Sequence, residues 1–156
     1  MLKKYCEAIN YIYGKKVIIK KRVNFFSVRI GSKTIVSDLI KHAKFGIHTW
    51  NLPSKLLITN TLKKKWLKSF MSAEAYVGQN HIKVQTVNKN GMKLVGRLLK
   101  DLEIEHNYYE YTPKNPKHSK VSMIFISKKK SRIKYHKKIG FYHLKKTRTL
   151  KKTLGL

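Results

Sequence analysis

Glu74 stands near the end of a run of apolar and small residues, Leu67-Lys68-Ser69-Phe70-Met71-Ser72-Ala73-Glu74-Ala75. A carboxylate there could hold a divalent cation, or it could balance the charge of nearby lysines. Other material for catalysis is scarce. The chain has 7 Asp plus Glu, its 7 His do not cluster at ligand spacing, and no Ser, His and Asp constellation stands out. Cys6 is the only cysteine, which excludes an internal disulfide and any Cys-based zinc cluster and fits a reducing compartment. It reads as a small apolar packing residue.

What the chain has in excess is positive charge. Its 36 Lys plus Arg give a net charge of +29 over 156 residues, beyond what solubility asks of a small domain, so a polyanion is the expected partner. A hydrophobic content of 42% and an aromatic content of 11% exclude a disordered basic tail and imply a buried core. No apolar run approaches the roughly 20 residues of a membrane span, and Met1 to Glu7 lacks the features of a secretory signal. An intracellular place, in the cytoplasm or an organelle matrix, and no membrane partner are expected.

The elements that must position these residues follow from periodicity. Met1 to Tyr13 (MLKKYCEAINYIY) aligns without gaps on Trp66 to Gly78 (WLKSFMSAEAYVG), pairing Leu2 with Leu67, Tyr5 with Phe70, Ala8 with Ala73 and Tyr11 with Tyr76. Ser27 to Lys33 then aligns on Lys83 to Lys89, which argues an internal duplication. Phe26, Val28 and Ile30 alternate with polar residues as in a strand. A helix capped by Ser32 or Thr34 follows, carrying Ile35, Leu39, Ile40 and Ala43 and stopping by Gly46. Ile47 to Leu52 reads as a short strand, and a helix from about Thr61 delivers the second copy. There Ile82, Val84 and Thr86 face one way and His81, Lys83 and Gln85 the other; a helix with Met92, Val95, Leu98, Leu99 and Leu102 comes next. Ile104 to Tyr111 and Val121 to Ile126 form a predicted hairpin, and the tail from Lys128 is helical with a break at Gly140.

The Leu67 to Ala75 segment resembles a worn LAGLIDADG motif. With Asn51-Leu52-Pro53 upstream and Thr86-Val87-Asn88-Lys89 and Lys138-Ile139-Gly140-Phe141 downstream, most of residues 47 to 154 is similar to the LAGLIDADG homing endonucleases. The first half fits only through its match to the second. The resemblance implies an α+β fold of two pseudo-symmetric half-domains, 1–60 and 61–156, the second with a basic C-terminal helix. Two motif helices would pair at the centre, and antiparallel sheets would form a saddle over the nucleic acid, making a monomer by internal pseudo-symmetry. It also implies that an acid near the end of each motif helix holds a divalent metal for phosphodiester cleavage. Glu74 occupies that position in the second copy, whereas the first copy has Ile9, which cannot coordinate a metal. Glu7 lies two residues earlier, about 200° round the helix. The small positions that let the helices approach are also altered, to Lys4 and Ser69 and to Asn10 and Ala75.

No catalytic residue, metal or cofactor is therefore expected, Glu74 being a vestigial acid. The expected binding surface comprises Lys15, Lys16, Lys20, Lys21, Arg22, Ser27 and Arg29 in the first half and His81, Lys83 and Gln85 in the second, with Lys128, Lys129 and Lys130 as a further cluster. Arg and Gln can read base edges, whereas Lys mostly neutralises phosphate; each of these residues could equally be a solvated outer position. Lysine runs scattered outside the saddle tilt the expectation from DNA toward structured RNA, as in a ribosomal or ribosome-associated protein. The alternatives are a magnesium-dependent LAGLIDADG DNA endonuclease or nickase, and a DNA-binding regulator or intron-splicing cofactor. The tyrosines and tryptophans could stack on unpaired bases or pack inside.

Overall fold

Twelve elements, six helices and six strands, are present among residues 2–156, which the computed structural model describes. The chain is α+β, as its periodicities predict, and it divides into two compact units, Met1–Lys41 and His42–Leu156.

In the first unit, helix α1 (Leu2–Tyr13) buries Ile9 and ends where Gly14, at φ 62°, donates its N–H to the Asn10 carbonyl. Positive φ costs glycine nothing, so the helix stops there. Tyr13 donates its hydroxyl to the Asp38 carboxylate at 2.7 Å, tying α1 to helix α2 (Lys33–His42); this bond raises the phenol pKa. Between the helices lies a two-residue hairpin, β1 (Lys20–Lys21) with β2 (Phe26–Ser27), pairing Lys20 with Ser27 and Lys21 with Phe26. The strand expected to run through Val28 and Ile30 is thus shorter than its alternation predicts. A half-buried strand needs a layer over its apolar face, but Phe26 is 60% exposed, and the neighbouring Ile18 and Val23 are exposed too.

The second unit opens on turns rather than the strand expected over Ile47 to Leu52. Gly46, at φ 133°, offers its carbonyl to the N–H groups of Thr49 and Trp50, and the Thr49 hydroxyl donates to the Phe45 carbonyl, so the segment closes on itself. Helix α3 (Asn60–Glu74) is capped by Thr59, whose side chain accepts from the Leu62 N–H. Then come β3 (Tyr76–Val77), β4 (Ile82–Thr86), α4 (Lys89–Asp101), β5 (Asn107–Tyr111), β6 (Val121–Ile126), α5 (Lys129–Lys138) and α6 (Leu144–Leu154). The strands form one antiparallel sheet in the order β3-β4-β6-β5.

Ile82, Val84, Ile124 and Ile126 line one face of this sheet and are fully buried, with Met92, Val95 and Leu99 of α4 in the same core. Leu52 and Leu57 belong to that core, so the segment before α3 packs with the second unit. Asn88 fixes the start of α4: its Oδ1 accepts from the Gly91 N–H at 2.9 Å and its Nδ2 donates to the Trp50 carbonyl at 2.6 Å. Gly91 is required there, because a Cβ would stand 2.7 Å from the Trp50 ring. The helical tail breaks where predicted: Gly140 has φ 67°, and its carbonyl accepts from the buried Tyr135 hydroxyl. Among the described residues no helix is long and apolar enough to cross a membrane.

Candidate nucleic-acid interface

The sheet of the second unit has a second face, which the core leaves open. Residues directly opposite in antiparallel strands share a face, so the register defines its rows. Tyr76, Lys83, Phe125 and Asn107 form one row across all four strands. Gln85, Met123 and Tyr109 form the next, and Val121 and Tyr111 a third. Lys83 and Gln85 thus emerge on the open face, as the alternation in β4 predicts, and His81 joins them from the turn before that strand.

The His81 ring lies 6.0 Å from Tyr76 and 5.5 Å from Phe125, and Phe125 in turn lies 5.7 Å from Tyr109. The Lys83 ammonium sits 5.9 Å from the centre of the Phe125 ring, within cation–π range. Two residues hold the β3–β4 turn that carries His81. Gly78 donates its N–H to the His81 carbonyl and leaves room for the imidazole, which a Cβ there would meet at 2.8 Å. Arg132, buried and 5% exposed, donates to the carbonyls of Gln79 and Ser127, so this cation serves the fold. Sequence offers the tyrosines as a class for stacking but does not single out Tyr76, Tyr109, Tyr111, Met123, Phe125 or Asn107. Their alternation is visible there, but both faces of β5 and β6 carry aromatic or apolar side chains, and only the pairing register tells which face is covered.

Glu74, the last residue of α3, borders a groove of about 360 Å³ with Tyr76, Lys83 and Gln85. The helix end around it is held by α6. Lys146 donates to the carbonyls of Ser72 and Ala73, and the buried Ser72 hydroxyl accepts from the Tyr142 N–H while donating to the Lys68 carbonyl. Burial lowers the Lys146 pKa, and the charge of Glu74 opposes that shift. Lys83 shares this groove with Glu74, and no group of three or more His, Cys, Asp or Glu able to hold a metal occurs among the described residues. A single carboxylate does not by itself meet the coordination of magnesium, which takes several oxygen ligands. Ile9, at the matching position of α1, is buried, and Glu7 is exposed.

In the first unit the structure gathers most of the expected cations. Lys15, Lys16, Lys20, Arg22, Ser27 and Arg29 line one groove of about 350 Å³. Arg22, Ser27 and Arg29 also border a second of about 410 Å³ beside Phe25. Lys15 donates to the Gly31 carbonyl, which places its ammonium group at the first groove. Lys21, one residue along β1 from Lys20, lines neither groove.

Lys128, Lys129 and Lys130 begin α5 just beyond β6, where Lys128 pairs with Glu105. Other acids are similarly engaged: Asp101 with Lys63, Glu110 with Lys89, and Glu103 with Lys134 and Lys138. The two lysines hold the Glu103 carboxyl down at about 2. With 7 acids for 36 cations, such pairs leave most of the positive charge uncompensated by acids. Comparison with protein-family models and with curated proteins finds no match for the chain.

Proposed function

We propose that the chain is a non-catalytic, RNA-binding derivative of the LAGLIDADG homing endonucleases, acting as a monomer on structured RNA as a ribosomal or ribosome-associated protein. The observation that carries this reading is the open sheet face bearing Lys83, Gln85 and His81, in a chain of net charge +29. A folded RNA offers several phosphate segments at once, which suits cations spread over both units better than a single duplex would. The ancestry draws support from the second unit's order of helix, two strands, helix, two strands and two helices, and from Glu74 closing the motif helix. The loss of cleavage rests on Ile9, which stands in the first copy where the resemblance expects the second acid. The rival reading, a magnesium-dependent DNA endonuclease or nickase, draws on the same exposed carboxylate.

Ultraviolet crosslinking in cells followed by sequencing of the bound nucleic acid tests the substrate. Recovery concentrated on folded RNA is the expected outcome, and recovery of dispersed DNA without RNA would remove the proposal.

A further inference from the structure

We infer that the open face of the β3-β4-β6-β5 sheet is a stacking platform for unpaired bases of RNA. This rests on the nucleic-acid reading above and adds to it the state of the bases recognised.

A soluble protein scatters exposed aromatic residues singly; a contiguous exposed row marks a binding surface. Here Tyr76, His81, Phe125 and Tyr109 form an unbroken arc across the sheet, with successive centroids 6.0, 5.5 and 5.7 Å apart. Tyr76 is 61% exposed and Tyr109 52%, so their rings meet solvent, and His81 and Phe125 between them are half-buried. Four strands at a spacing of about 4.8 Å span roughly 14 Å, room for two or three bases laid out side by side.

Polar partners are interleaved with the rings. Lys83 lies between Tyr76 and Phe125 in register, and Asn107 lies opposite Phe125. Gln85 lies two strands from Tyr109 in the next row. Amides can satisfy the pairing edges of bases, and the ammonium group suits a phosphate, so the face is complementary in charge and shape to a polyanion with exposed rings. A continuous duplex hides its base faces inside the stack and has nothing to lay on this arc; an unpaired segment does. RNA rather than DNA is favoured because the cations away from this face need further backbone segments, which a folded RNA supplies around its unpaired loops.

The test uses the full chain and four labelled probes: a single-stranded RNA decamer, the DNA decamer of the same sequence, a fully paired RNA duplex, and the RNA decamer carrying 2-aminopurine. Phe125→Ala and Tyr109→Ala should each weaken the RNA decamer about tenfold, and the double variant about a hundredfold, with little change on the duplex. Phe125→Leu, which keeps the bulk and the fold, should show the same loss and abolish 2-aminopurine quenching; Phe125→Trp should restore both. Equal losses on decamer and duplex, or an undiminished decamer affinity in a folded Phe125→Leu variant, would overturn the platform while leaving nucleic-acid binding intact. Tighter binding of the DNA decamer would overturn the RNA assignment. Self-association that disappears in Phe125→Leu would give the face to a second copy instead. Failure of the wild-type chain to bind any probe would remove the parent reading and this one together.

Discussion

Raising potassium chloride from about 50 to about 200 mM should weaken RNA binding by two to three orders of magnitude. Each phosphate neutralised by Lys or Arg releases condensed counterions, so the logarithm of affinity falls with the logarithm of salt by about 0.7 per phosphate for single strands and about 0.9 for a duplex. The groove of Lys15, Lys16, Lys20, Arg22 and Arg29 offers five cations. Five phosphate contacts would give a slope of roughly −3.5 for an unpaired strand. Charge-removing changes in the first groove, such as Arg22→Gln with Arg29→Gln, should flatten that slope by about one to two and weaken all sequences alike. Filter binding over a salt series measures both quantities. A slope near zero would contradict polyelectrolyte binding, whatever the affinity at a single salt concentration.

Truncating Ile124 to Ala should cost about 2–5 kcal/mol of stability, whereas Val23→Ala should fall within about 0.5 kcal/mol of the wild type. Ile124 is fully buried on the covered face of the sheet, and its loss leaves a cavity that packed neighbours fill only partly. Val23 is 98% exposed at the tip of the first unit's hairpin and loses no packing. For a chain of this size the Ile124 change should lower the melting temperature by about 5–15 °C. Denaturant titration of the two variants decides the matter; equal destabilisation would contradict the exposure of Val23.

The second unit was legible from sequence wherever a covered surface imposes a period. Ile82, Val84 and Thr86 alternate because one face of β4 meets the core, and Met92, Val95 and Leu99 recur at helical spacing because α4 is in that core. Gly140 marks a helix break through local backbone chemistry, which sequence also carries, whereas α3 starts at Asn60 behind its Thr59 cap, just before the Thr61 expected from sequence. The first unit was less legible for the converse reason. Its alternating Phe26, Val28 and Ile30 look like a strand, yet no layer covers Phe26, and the ladder lasts two residues. Ile47 to Leu52 has strand-forming composition, but Gly46 and the Thr49 hydroxyl bend it into a turn.

At the candidate interface, charge was legible and aromatic placement was not. Lysine and arginine are nearly always exposed, so their type alone locates them at the surface, and several of those named from sequence converge on one groove. Tyrosine and phenylalanine occur on both sides of a sheet: Tyr108 is half-buried, while Tyr109 and Tyr111 are exposed. Only the pairing of β4 with β6 and of β6 with β5 brings Phe125, Tyr109 and His81 onto one face.

The most direct test of binding without cleavage is incubation of the purified chain with magnesium, a labelled structured RNA and a library of duplex DNA sites, read on one denaturing gel. Intact RNA and intact DNA at protein concentrations that saturate the RNA are the expected result. Strand cleavage that Glu74→Gln abolishes would contradict the account and restore the endonuclease reading.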